Sequence, residues 1–174
     1  YVVTHDSNGL FLSDFKKYFN EFKNSFILVP IRDCIGYIAA EKTRIARRYF
    51  GSRRFTKPLP PNFLIKMFDG YDLNAILNTW LISISRIKLL QEKNNLENKL
   101  ITYRFEKLVE HPSDSMKILS NKLNVNFEDV LLSPTLCGKK WLGNSQQGKN
   151  NGINPEPNHY YKNVLREDEI KHIK

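Results

Sequence analysis

Sulfur chemistry is nearly missing from this sequence. Its two cysteines, Cys34 and Cys137, cannot make a disulfide framework, and its four histidines, His5, His111, His159 and His172, keep no metal-ligand spacing. Zinc-finger and disulfide-scaffold classes are thereby excluded, no metal is expected, and a reducing, cytoplasmic setting fits the cysteine usage best. Long apolar runs are lacking too: no stretch approaches the roughly 18 residues of a membrane span. The chain opens on Tyr1 inside a strand-like segment, with neither an initiator Met nor a signal peptide. We therefore expect a piece of a longer protein. Acidic residues are outnumbered, 18 against 27 basic, for a formal charge of +9. That balance points to an anionic partner without choosing among nucleic acid, a membrane surface and a small polyanion.

What is present suffices for one domain with its own core, since 41% of the 174 residues are hydrophobic. Residues 1–5, YVVTH, read as a strand closed by the turn-forming DSNG. Helical spacing follows from Leu10 to Phe22. Ser25 to Ile31 is an apolar run of the kind that fills a strand covered on both faces, with pairing expected to weaken at Pro30. Asp33 is the expected N-cap of a helix reaching about Phe50, and the Pro- and basic-rich residues 51–62 read as a loop.

The clearest amphipathic helix spans Asp72 to about Lys93, and a third strand spans Lys99 to Phe105. Further helices are expected over Pro112–Leu123 and Arg166–Ile173. Between Ser133 and Pro157 periodicity fades into Gly, Asn, Gln, Lys and Pro, long enough to suggest a functional loop. Strands alternating with helices predict an α/β domain with a mainly parallel sheet.

In such a sheet ligands gather beyond the carboxyl ends of the strands. Two ends carry reactive side chains: His5 after the first strand, Arg32 and Asp33 after the second. Arg32 before a helix N-terminus makes a phosphate site from charge and dipole alone; an ordinary surface ion pair with Asp33 is the competing reading. His5 suits a general base because imidazole titrates near neutrality, and a plain structural histidine is its alternative. Lys42, Arg44, Arg47, Arg48, Arg53, Arg54 and Lys57 either embrace a polyanion or form a solvated face. Tyr49, Phe50 and Phe55 among them would also suit nucleic acid, but no recognition signature accompanies them.

Four segments combine with these features: VTHD (Val3 to Asp6), ILVPIRDCIGYIAA (Ile27 to Ala40), LITYRFEKLVEHP (Leu100 to Pro112) and SPTLCGKKWLGNS (Ser133 to Ser145). In that order they resemble the sulfotransferase family. These enzymes move a sulfuryl group from 3′-phosphoadenosine 5′-phosphosulfate (PAPS) to an acceptor and leave adenosine 3′,5′-bisphosphate (PAP). The segments are similar, respectively, to the family's Lys-Thr-His strand end, its 3′-phosphate-binding strand and helix, its Tyr-Glu-Asp-Leu strand end, and the closing region of bacterial and related members. Trp80 also sits on the long helix where members often have Trp.

The resemblance implies a P-loop-NTPase-like, three-layer α/β/α fold around a central, mainly parallel sheet. Residues 1–174 would be one sulfotransferase-like domain, incomplete at the N-terminus. It implies Arg32 as the 3′-phosphate residue, His5 as the base that takes the acceptor hydroxyl's proton, and Phe105 near the adenine in place of a Tyr. Thr135, Trp141, Asn144 and Ser145 would close over the nucleotide, with Lys139, Lys140 and Lys149 as further phosphate contacts. No metal is implied.

Three departures stand out. Ala40 occupies the position of a Ser that also binds the 3′-phosphate, with Lys42 and Thr43 the nearest polar substitutes. Val3 replaces a Lys, and the phosphosulfate-binding strand–loop–helix that precedes the His strand is missing, so this chain alone is not expected to catalyse transfer. The expected acceptor is a small molecule or a glycan, anionic if the basic run receives it, apolar if Leu59 to Phe68 line its pocket. A basic nucleotide- or nucleic-acid-binding module and a P-loop kinase relative are the alternatives.

Overall fold

The computed structural model describes residues 15–51, 60–94, 98–133, 135–136, 138–140 and 153–174. In chain order the elements are α1 (Phe15–Glu21), β1 (Ile27–Ile31), α2 (Cys34–Tyr49), α3 (Asn62–Met67), α4 (Leu73–Asn94), β2 (Leu100–Arg104), α5 (Phe105–Glu110), α6 (Pro112–Lys122), β3 (Thr135–Leu136), β4 (Lys139–Lys140), α7 (Tyr161–Val164) and α8 (Glu167–Ile173). The architecture is α/β and mostly helical. Among the described residues the parallel sheet consists of β1 beside β2, from Ile27 opposite Leu100 to Ile31 opposite Arg104. The strand expected over residues 1–5 lies outside the described residues.

Pro30 does not interrupt this pairing. The Ile27 N–H donates to the Lys99 carbonyl at 2.8 Å, so alternate residues 27, 29 and 31 turn their amides toward β2. Pro30 turns its missing donor the other way, which is where a strand tolerates proline. The expectation of a strand covered on both faces is corrected. Val29, together with Ile27 and Ile31, packs against Phe19, Ile87 and Leu100, whereas Leu28 on the opposite face is 42% exposed.

Helix α2 is the hub of the helical part, touching α3, α4, α7 and α8. Ile38, Ala39 and Ala46 face the core, joined by Ile65 and Phe68 below α3 and by Val164 and Leu165 around α7. Asp33 caps α2 as expected: its Oδ1 accepts the Gly36 N–H at 2.6 Å, a contact that typically stabilises a helix by about 1 kcal/mol. Arg47 and Arg48 fill the last turn, where positive charge complements the helix dipole. Asp72 caps α4 in the same way through the Ala75 N–H at 2.9 Å.

Of the loop expected over residues 51–62, the described residues 51, 60 and 61 lie outside helices and strands, whereas Asn62 opens a short helix that the residue spacing does not announce. The helix α3 starts at Asn62, behind Pro61 as its N-cap residue, and six residues were too few to carry a visible period.

Candidate functional site

Because β1 and β2 are parallel and in register, their carboxyl ends lie side by side. Arg32 and Asp33 leave β1 there and enter α2, while Phe105 and Glu106 leave β2 and begin α5. The two junctions touch. The Arg32 guanidinium lies over the Phe105 ring, 5.6 Å from its centroid, and the Asp33 N–H donates to Glu106 Oε1 at 3.0 Å. Trp80, from α4, donates its indole N–H to the Arg32 carbonyl at 3.0 Å. Gly36 leaves room for this arrangement, since a Cβ there would sit 3.1 Å from Arg32 Nε and 3.2 Å from Asp33 Oδ2.

The charge of this corner is chemically legible. Among the described residues no carboxylate forms an ion pair with Arg32, and Asp33 is spent on capping rather than on Arg32. The competing surface ion pair is thus not formed. A planar cation stacked on an aromatic ring, at a strand end and a helix N-terminus, can hold a phosphate or sulfate by a forked pair of hydrogen bonds. Glu106 is 8% exposed, and its Oε2 has no partner among the described residues. Cys34 does not supply a thiolate: burial, and then the neighbouring Asp33 charge, push its thiol up from the ordinary value.

Ala40 lies two helical turns beyond Arg32, on the helix face that carries Gly36. Neither polar substitute for it is available. Lys42 is 0% exposed; its ammonium donates to both oxygens of Glu169, at 2.9 and 3.0 Å, and to the Lys66 carbonyl at 2.9 Å. Thr43 donates its hydroxyl to the Ala39 carbonyl at 2.7 Å. The basic run is likewise broken up, because Arg44 is bonded to Glu41 on its own helix and Lys42 faces inward. Arg48 remains exposed.

The Lys42 pair belongs to a dense network. Glu169 also accepts from the Tyr71 hydroxyl and from the Arg166 N–H, and Arg166 bonds Asp69 and Asp168. Burial, partly offset by Glu169, holds the Lys42 ammonium below the ordinary lysine value. Burial and the Glu169 bond hold the Tyr71 hydroxyl well above the tyrosine range. These contacts dock α8 onto α2 and α3, and nothing in the residue spacing marks Lys42 as leaving the basic face.

Thr135 and Lys139 are exposed and lie in the separate antiparallel pair β3–β4, with Thr135 opposite Lys140. His5, Trp141, Asn144, Ser145 and Lys149 lie outside the described residues. The apolar residues of the expected acceptor pocket partly line a cleft of about 340 Å³, formed by Tyr49, Phe50, Leu64, Met67, Phe68, Asp69 and Gly70. It opens at the other end of the 16-residue α2, about 24 Å from Arg32 at 1.5 Å per residue. Among the described residues no helix is long and apolar enough to cross a membrane. A scan against protein-family models and searches of curated proteins and of solved structures return no match for the chain.

Proposed function

We propose that the chain is the nucleotide-binding part of a PAPS-dependent sulfotransferase, with Arg32 on the donor's 3′-phosphate. The observation that carries this reading is the Arg32 guanidinium held over Phe105 at the carboxyl edge of two parallel strands, without a carboxylate ion-pair partner among the described residues. The N-terminal end of α2 adds its partial positive charge to the same spot. In this reading β1 and β2 belong to the central sheet of a three-layer α/β/α fold, and Phe105 offers an aromatic face beside the nucleotide. Ala40 offers no hydroxyl, so Arg32 carries a larger share of the phosphate than its counterpart in the family.

The reaction is an in-line displacement. The acceptor oxygen forms a bond to sulfur, the bond from sulfur to the 5′-phosphate oxygen breaks, and PAP leaves with that electron pair. His5 takes the acceptor's proton in this reading. The exposed Arg48 would suit an anionic acceptor such as a glycan, and the aromatic cleft an apolar one. Calorimetric titration with PAP and with AMP tests the donor assignment. Tighter binding of PAP supports it, and equal affinities overturn it.

A further inference from the structure

The Arg32 carbonyl and the Asp33 N–H are the two polar ends of one peptide group, and in a trans peptide they point in opposite directions. Each end is taken by a side chain from a different element: Trp80 Nε1 donates to the carbonyl at 3.0 Å, and Glu106 Oε1 accepts the N–H at 3.0 Å. The plane of this peptide is therefore fixed from both sides. It joins the strand to α2, and it sets the direction in which the Arg32 side chain departs.

We propose that Trp80 and Glu106 are positioning residues, a clamp that aims Arg32 at the ligand's phosphate. The inference rests on the reading of Arg32 given above. Backbone groups at a strand end or helix start are met by other backbone, by side chains or by water; here side chains from two different elements take both ends of the same peptide. Glu106 keeps a carboxylate 8% exposed with one oxygen unpartnered among the described residues, a costly arrangement for a single backbone bond. Departures of this kind gather where function requires a fixed geometry. Phe105, the residue before Glu106, supplies the surface on which the aimed guanidinium rests. The clamp thus joins β1, α4 and the start of α5 at one peptide.

The test compares the affinity ratio of PAP to AMP in the whole chain and in Glu106→Leu, Glu106→Gln and Trp80→Phe, with amide exchange followed at Asp33. Glu106→Gln keeps an oxygen acceptor and should retain the ratio and the Asp33 protection. Glu106→Leu and Trp80→Phe should each lower the ratio about five- to tenfold, the range expected for one lost hydrogen bond, with AMP affinity unchanged. Glu106→Leu should also release the Asp33 amide about tenfold faster. Should Glu106→Leu fail to fold, Trp80→Phe reads the other end of the same peptide. A folded Glu106→Leu with an unchanged ratio, or an Asp33 amide that exchanges no faster in it, overturns the clamp. A wild-type ratio near one sinks the donor assignment instead, and the Asp33 exchange still reports on the clamp.

Discussion

Lys42 and Glu169 form a buried ion pair with side chains 0% and 4% exposed, 2.9 Å between nitrogen and oxygen. It fastens α8 to the helix whose N-terminus carries Arg32. Removing one partner leaves the other charge in the interior, so Glu169→Ala should cost about 3–5 kcal/mol. The double variant Lys42→Met/Glu169→Leu should cost clearly less than the sum of its parts. Denaturant unfolding of Lys42→Met, Glu169→Leu and the double variant measures this, and additive losses would contradict it.

Alkaline pH should weaken the fold, and Tyr71 should be a main reason. Burial and the Glu169 bond raise its hydroxyl above the ordinary value of 10, so the folded state keeps a proton that the unfolded chain gives up. Stability from this group is complete below pH 10 and falls as pH rises further, by up to about 1.4 kcal/mol per pH unit. Lys42 works in the opposite sense, because its depressed value adds stability as pH climbs toward 10.5. Unfolding curves at pH 9, 10 and 11 should therefore drop less steeply for Tyr71→Phe than for the wild type.

Gly36→Ala separates the helix from the site. Alanine favours a helix interior by about 1 kcal/mol over glycine, but the new methyl would crowd Arg32 Nε at 3.1 Å and the Asp33 carboxylate at 3.2 Å. We expect unfolding stability within about 1 kcal/mol of wild type and PAP affinity lowered about fivefold by a displaced guanidinium. Calorimetry and thermal melts on the same sample read both.

Much of this corner was legible in the sequence. Asp33 before an apolar-periodic run announced the cap of α2, and Lys99 to Phe105 read as a strand, which the structure places over Leu100–Arg104. Arg32 at a strand end suggested an anion site before any fold was drawn. Pairing across the chain left no such mark. Lys42 looked like part of a basic face because its partner, Glu169, stands 127 residues away, and residue spacing reports a helix face only locally. Leu28 looked buried because an apolar run gives no hint of which face of the strand will be covered. Glu106 falls just past the expected strand and outside any expected helix, with nothing to announce its hold on Asp33.

The aromatic cleft depends on a close approach at Gly70, where a Cβ would lie 2.6 and 2.7 Å from two atoms of the Phe68 ring. Phe68 is buried against Tyr49, Phe50 and Tyr71 and cannot retreat without opening the core. Gly70→Ala should destabilise the fold by about 1–3 kcal/mol, measured by denaturant unfolding, and should leave the PAP affinity unchanged because Arg32 is at the other end of α2.

PAP titrated against the wild type and Arg32→Ala decides whether Arg32 holds the 3′-phosphate. A charge-assisted contact of about 1.5–3 kcal/mol predicts roughly ten- to hundredfold weaker PAP binding in the variant, with AMP binding unchanged. A folded Arg32→Ala chain that binds PAP as tightly as the wild type would mean that Arg32 does not hold the 3′-phosphate.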